Sequence, residues 1–294
     1  MRVINQFPAR PAMDGDGVNI RRVADFDNTK FDPFLMLDEI KSDDKQDFIG
    51  GFPPHPHRGI ETFTYIRKGG FEHRDQLGNV KAIRAKDVQW MSTGSGVIHS
   101  EMPLADADEG LHGFQIWVNM PANQKMRPAR YEDSSNTTNP ESTNDKGAVL
   151  RALAGNWAFA GQTSISAPIQ DLAGKAAIAD LMLSPDAVAE LQLGRHEFVG
   201  LYLYEGTLID KSHHDQDSHK HIDKSYAAGQ YLILDSQELL ELKAGADGAG
   251  LLLLAGQPIK EKIVHMGPFV MNTQAEIKQA VEDYQGGRFG QIPL

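Results

Sequence analysis

Two pairs of residues spaced two apart could do chemistry in this chain. One is His55 and His57 in Phe52-Pro-Pro-His55-Pro-His57-Arg-Gly-Ile-Glu61; the other is His99 and Glu101 in Gly94-Ser-Gly-Val-Ile-His99-Ser-Glu101. In a β-strand alternate side chains share a face, so each pair would present both groups together, and Glu61 has the same parity as His55 and His57. Three imidazoles and a carboxylate on facing strands would bind a divalent first-row metal and leave positions for water, substrate or O2. Parity alone admits Glu61 or Glu101 as the carboxylate. The competing reading is a closed structural zinc site, but such sites usually hold thiolates, and this chain has no cysteine.

The spacing needs its context to carry weight. With 11 His in 294 residues, about 0.4 His-x-His pairs are expected by chance. A second such pair, His219-Lys-His221, sits in a wholly polar stretch with His213 and His214. That stretch, 211–221, reads as a surface insertion able to take up zinc or nickel adventitiously. His55 and His57 instead precede the apolar, β-branched run Ile60-Glu-Thr-Phe-Thr-Tyr-Ile66, which predicts one strand carrying them.

The elements that must position these groups are short strands. Val18–Val23, Phe31–Asp38, Phe71–Asp75, Val80–Ala85, Asp87–Met91 and Gly113–Met120 alternate with Gly, Pro and Asn turn signals, a grammar of antiparallel sandwiches and barrels. In Gly113–Met120, Gln115, Trp117 and Asn119 share a face suited to a polar-rimmed cavity. The glycines of Ser92-Thr-Gly-Ser-Gly96 are expected to bend the backbone so that His99 reaches inward. Residues 131–148 are a polar run without apolar periodicity and read as a linker between domains at 1–130 and 149–294. In the second domain the runs Val149–Leu153, Ile178–Leu183, Glu197–Tyr204, Tyr231–Leu234, Leu239–Leu242 and Gly250–Ala255 repeat the strand pattern without the histidine pairs. One helix closes the chain: Thr273-Gln-Ala-Glu276 is a capping box, and Ile277, Ala280, Val281 and Tyr284 make one apolar stripe ahead of Gly286-Gly287.

Bulk properties narrow the partners. A net charge of −11 argues against direct nucleic-acid binding, which needs a basic surface. Without cysteine there is no disulfide framework, iron–sulfur cluster or thiol nucleophile, and soft Cu(I) is disfavoured. No apolar run reaches the ~20 residues of a membrane span, and the first residues lack the apolar segment of a signal peptide. A cytoplasmic monomer is expected.

The motifs together resemble the pirin family of the cupin superfamily. The segments that carry the resemblance are Asp32-Pro-Phe-Leu-Met-Leu-Asp38, His55-Pro-His-Arg-Gly-Ile-Glu-Thr62, Gln89-Trp-Met-Ser-Thr-Gly-Ser-Gly-Val-Ile-His-Ser-Glu-Met-Pro103, Gln115-Ile-Trp-Val-Asn-Met-Pro121 and Gly267-Pro-Phe-Val-Met-Asn-Thr273. The resemblance implies an all-β bicupin, two jelly-roll-like antiparallel β-barrels with a C-terminal helix and one metal in the first barrel. It implies His55, His57, His99 and Glu101 as metal ligands, Fe(II) foremost, with Ni, Co, Mn or Zn as alternatives. Glu61 becomes a residue of the cavity or of the ligands' surroundings. Two functions follow from the resemblance. One is a quercetin 2,3-dioxygenase that opens a flavonol ring with O2 and releases CO, with Glu101 also taking the substrate proton. The other is a redox-sensing regulator acting through a protein partner such as a transcription factor or metabolic enzyme.

Overall fold

The strand grammar is realised almost throughout. The computed structural model describes residues 1–26, 29–106, 109–135, 137–194, 196–210, 223–235 and 238–293; the histidine-rich stretch 211–221 lies outside them. Two compact units emerge, Arg10–Thr138 with Ile259–Leu294, and Met1–Ala9 with Asn139–Pro258. Against the expected ranges of 1–130 and 149–294, the two ends of the chain change sides. The expected linker also contains strand. Arg130–Asp133 pairs with Val88–Ser92, and Glu141–Thr143 pairs with Ala148–Ala154. Both are edge strands, which have one neighbour to satisfy and tolerate polar sequence.

In chain order the strands needed below are β1 (Val3–Pro8), β2 (Arg10–Asp14), β3 (Val18–Ala24), β4 (Phe34–Ser42), β5 (Phe52–His57), β6 (Ile60–Lys68), β7 (Gly70–Asp75), β8 (Val80–Arg84), β9 (Val88–Ser92), β10 (Val97–Pro103), β11 (Leu111–Asn119) and β12 (Arg130–Asp133). The histidine-bearing unit has a seven-stranded sheet, β12-β9-β6-β11-β4-β3-β2, and a four-stranded sheet, β5-β10-β7-β8. Every pairing in them is antiparallel. An apolar cluster that includes Val18, Ile40, Phe48, Ile66, Phe71 and Leu111 fills part of this unit.

The other unit takes β1 as the first strand of a sheet that runs through Gln230–Leu234, Phe198–Asp210, Leu239–Gly256 and Ala177–Leu183. Leu239–Leu242 and Gly250–Ala255, which read as separate runs, are one 18-residue strand. Its glycines let it pass close to its neighbour: a Cβ on Gly250 would lie 2.2 Å from the Tyr204 ring. Leu181, Leu201, Leu203, Leu251 and Leu253 fill the interior of this unit, where the first unit carries imidazoles.

The returning segment 259–294 is fastened to the histidine unit at three places. The Asp32 carboxylate accepts the backbone N–H groups of Ile259 (3.0 Å) and Lys260 (2.7 Å). The buried Lys125 ammonium donates to Gly59 O, Asn119 Oδ1 and Val270 O at 2.7, 2.9 and 2.9 Å. Burial brings Lys125 down to about 8, against the pull of Glu261 and Glu276, and its three acceptors match its three N–H donors.

The third fastening is the helix α1 (Gln274–Gln285). Thr273 caps it by accepting from Glu276 N, as the capping box predicts, while the Glu276 carboxylate reaches back one residue further, to Asn272 N. Its Ile277 and Ala280 pack with Val264, Phe269, Met271 and Phe289. Beyond the apolar stripe, Asp283 makes a buried 2.8 Å ion pair with Arg58, the residue that follows His57. Arg58 also donates to Ser95 O at 2.7 Å and lies over the Phe289 ring. Removing one partner of a buried pair strands the other charge, at a cost of about 3 kcal/mol. Asp283→Ala is therefore expected to lower unfolding stability by about that amount, read as the midpoint of a urea titration, whereas exposed Lys278→Ala on the same helix changes it little.

Candidate metal centre

The four-stranded sheet gathers the imidazoles by cross-strand register. His99 on β10 is directly opposite His55 on β5, with His57 opposite Val97 two residues along. On the other side of β10, Glu101 is opposite His73 of β7. The backbone enters β10 through Gly96, whose φ is +148° and whose Cβ would meet the Phe289 ring at 2.9 Å; three residues on, His99 is fully buried.

The ligand atoms of His55, His57 and His99 lie within 4.8 Å of one another. A second group of the same tightness joins His73, His99 and Glu101. Glu101 is thus gathered with His99 and His73 rather than with all three expected imidazoles. His55 Nδ1 lies 2.8 Å from Pro53 O, which makes Nδ1 the protonated nitrogen and leaves the Nε2 lone pair available. Both ring nitrogens of His57 and both of His99 are buried without a hydrogen-bond partner.

Burial holds His57 and His99 well below the usual imidazole range, and charge on His55 pushes both further down. The Pro268 carbonyl is near His57, outside hydrogen-bonding geometry, and pulls it weakly the other way. Neutral, desolvated imidazoles with unused nitrogens are costly unless a Lewis acid takes the lone pairs. The site fits a divalent metal on that ground.

Glu101 is held by the opposite sheet. Its Oε1 accepts from Thr64 Oγ1 at 2.9 Å and Gln89 Nε2 at 3.0 Å, and Gln115 Nε2 lies 3.4 Å from Oε2. These three partners form one row across the seven-stranded sheet, Gln89 opposite Thr64 and Thr64 opposite Gln115. The row continues to Asp38 and then Arg22.

Two expectations need correction. Glu61 does not share a strand or a face with His55 and His57. The chain breaks at Gly59, with φ +81° and the Val270 carbonyl where a Cβ would stand, and β6 joins the other sheet. There the odd positions turn away from the row of Thr64, and Glu61 is ion-paired to Arg127 at 2.9 Å, which also binds Ser92. Asn119 is fully buried and accepts from Lys125, so it fastens the chain return; Gln115 and Trp117 line the cavity.

One participant escaped the sequence reading. His73 Nε2 lies 3.0 Å from Asp75 Oδ2. Burial pushes the Asp75 carboxyl up, but bonds from His73 and Asn79 outweigh it and hold the group below the usual range. Asp75 therefore accepts the Nε2 proton, and the buried Nδ1, without a hydrogen-bond partner, is the lone-pair nitrogen. The signal was present in Phe71-Glu-His73-Arg-Asp75, an i, i+2 pair like the two that were used.

A cavity of about 420 Å³ opens onto this cluster, within the range of small-molecule sites. His55, His57, Glu101 and Gln115 form its polar end, and Ile20, Met36, Phe52 and Trp117 supply apolar wall.

Residues 17–118 match the Pirin family and residues 178–290 match the Pirin C-terminal cupin domain. The chain belongs to the pirin family. Among its relatives, a Vibrio cholerae protein provisionally named quercetin 2,3-dioxygenase is 46% identical over 96% of this chain and 95% of its own. A pirin-like protein of Caulobacter vibrioides is 36% identical over 98% of both chains. Among solved structures, the crystal structure of a quercetin 2,3-dioxygenase from Acinetobacter baumannii superposes with a TM-score of 0.82 at 29% identity, covering 99% of each chain. As in these relatives, the all-β bicupin architecture spans this pirin from end to end.

Two measurements test the centre. Elemental analysis of His99→Ala is expected to show metal at background, while Glu61→Gln, whose change falls at the Arg127 and Ser92 contacts, keeps full metal content. In chelator-treated protein, His57 and His99 stay neutral when folded and take up protons on unfolding below 6.5. The unfolded state then binds more protons, so their contribution falls as pH drops below 6.5. Asp38, raised by burial to about 6, works the other way between about 6 and 3.8. The histidine effect is thus the difference between wild type and His57→Gln/His99→Gln: wild type is expected to lose melting temperature relative to the variant on going from pH 7.5 to pH 5.

Proposed function

We propose that this pirin is a metal-dependent dioxygenase that opens the central ring of a flavonol such as quercetin with O2 and releases CO. The observation that supports it most is the joining, in one cavity, of metal-ready imidazoles, a carboxylate held by fixed donors and an apolar wall sized for an aromatic substrate. The names of the Vibrio and Acinetobacter relatives point the same way. His55, His57 and His99 would hold the ion with Glu101 as fourth ligand, and Fe(II) is the ion assigned, with Ni, Co, Mn and Zn sharing its donor preferences. When bound, a divalent ion supplies Lewis acidity that makes the flavonol 3-hydroxyl a stronger acid.

This chain's own residues then handle the proton and the substrate. Glu101 Oε2, with one weak contact at 3.4 Å from Gln115, is the carboxylate oxygen with capacity to accept the hydroxyl proton. Thr64 holds the carboxylate in place for this step. Its hydroxyl is 2.9 Å from Glu101 Oε1 and 2.7 Å from Gln115 Oε1 and has one proton to give. Donated to Glu101 Oε1, beside the N–H of Gln89, it keeps Oε1 bonded whether or not Oε2 carries the substrate proton. Trp117, set edge-on to His57 with ring centroids 5.0 Å apart, and Phe52 exclude water and hold the aromatic plane. Over the whole reaction one flavonol and one O2 give one ring-opened ester and one CO.

Aerobic incubation of metal-loaded protein with quercetin is expected to consume flavonol and O2 in equal amounts and release CO. A sample with confirmed metal content that leaves quercetin intact would sink the proposal. Thr64→Val keeps metal binding and lowers kcat by about tenfold or more, measured from the decay of flavonol absorbance.

A further inference from the structure

The cavity has a second polar region that neither the imidazoles nor the proton handling uses. Asp38 and Asp14 line it, and the Arg22 guanidinium joins them. Its Nε lies 3.0 Å from Asp38 Oδ1, and its Nη2 lies 2.8 Å from Asp38 Oδ2 and 3.0 Å from Asp14 Oδ2. Two carboxylates share one cation, so a negative charge is left over. Asp38 is only 3% exposed, and each of its oxygens takes one N–H from Arg22. A carboxylate can accept about four hydrogen bonds, so acceptor capacity remains toward the cavity. Burial lifts Asp38 to about 6 in spite of Arg22, which still leaves it ionised at neutral pH.

The sheet register places this group relative to the centre. Asp38 is opposite Gln115, and Gln115 is opposite Thr64, which holds Glu101. Two strand spacings, about 10 Å, separate Asp38 from Thr64. Met36 and Ile40 have the same parity as Asp38 on β4, and Trp117 is opposite Met36; all three are cavity wall. A planar ligand with its reacting edge at Glu101 would slide along this wall and end at Asp38.

We propose that Asp38, clamped by Arg22, is the substrate-recognition group of the cavity: it accepts a hydrogen bond from a hydroxyl on the far edge of a polyhydroxylated aromatic, and the surplus negative charge turns away substrates with an anionic group there. For the identity of the ring system this rests on the flavonol reading above. A fixed, desolvated acceptor discriminates strongly, because a ligand without the matching donor leaves it unpaired.

The test is anaerobic calorimetry on metal-loaded protein, in which binding proceeds without turnover. The probes are quercetin and 3-hydroxyflavone, which keeps the hydroxyl–carbonyl pair directed at the metal and has no other hydroxyl. Wild type is expected to bind quercetin about tenfold or more tighter. In Asp38→Ala the quercetin affinity falls to that of 3-hydroxyflavone, which itself changes by less than about twofold. Should that variant fail to fold around an unpartnered Arg22, Arg22→Met/Asp38→Leu removes both charges and is expected to show the same collapse. Equal binding of the two probes by wild type, or an equal loss for both in the variants, overturns the proposal. A sulfonated quercetin is expected to bind at least about tenfold more weakly than quercetin; equal binding overturns the charge argument. Aerobic consumption is scored separately. No consumption with the binding preference intact refutes the dioxygenase and leaves Asp38 as recognition group; consumption without the preference does the reverse.

Discussion

A buried carboxylate must be met by donors or it will not stay ionised, and the way Glu101 is met organises the histidine unit. Glu101 belongs to β10 in the four-stranded sheet, yet its partners Thr64, Gln89 and Gln115 stand on three strands of the seven-stranded sheet. The contact therefore fixes one sheet against the other at the metal centre. It also requires those strands to be in register, because a slip of one residue would turn the polar row to the opposite face. The row that begins at Gln89 and reaches Asp38 and Arg22 would put the proposed proton handling and the proposed substrate recognition on one line across the sheet. Its Gln89, Thr64 and Gln115 hold Glu101, and the Arg22 clamp is at its far end.

The second constraint is that the sheets alone do not close around the imidazoles. Arg58 follows His57 directly, and its guanidinium is held by Asp283 of the last helix and by the Ser95 carbonyl. Gly59 turns the chain from one sheet to the other against the Val270 carbonyl. Lys125 spans both, bonded to Gly59 and Val270 at once. The residue preceding each turn is thus set by the returning segment, and the orientation of His57 depends on a helix more than two hundred positions away in sequence.

What was legible in the sequence was whatever is local. His55 with His57 and His99 with Glu101 each announce themselves by spacing within one strand, and strand alternation with turn residues announces an all-β chain. Glu61 misled for an instructive reason: parity holds only while the strand is unbroken, and β5 ends at His57, with Gly59 turning the chain before the apolar run begins at Ile60. Asn119 misled because parity gives a face and not a partner, and the partner, Lys125, lies beyond the end of its strand. The exchange of chain ends between the two units was illegible because β1 and α1 have ordinary strand and helix patterns that fit either unit. The Glu101 row was hidden because its members lie on separate strands and meet only through pairing register.

The exchange of ends has a consequence for what a shortened chain would lack. Residues 10–138 carry the imidazoles, Glu101 and both sheets of the histidine unit, whereas Val270 and Asp283 come from residues 259–294. A fragment stopping before residue 259 keeps every proposed ligand and loses the buttress behind His57, because Gly59 no longer turns against the Val270 carbonyl and Arg58 no longer meets Asp283. Possession of the donors and possession of their geometry thus reside in different parts of the sequence.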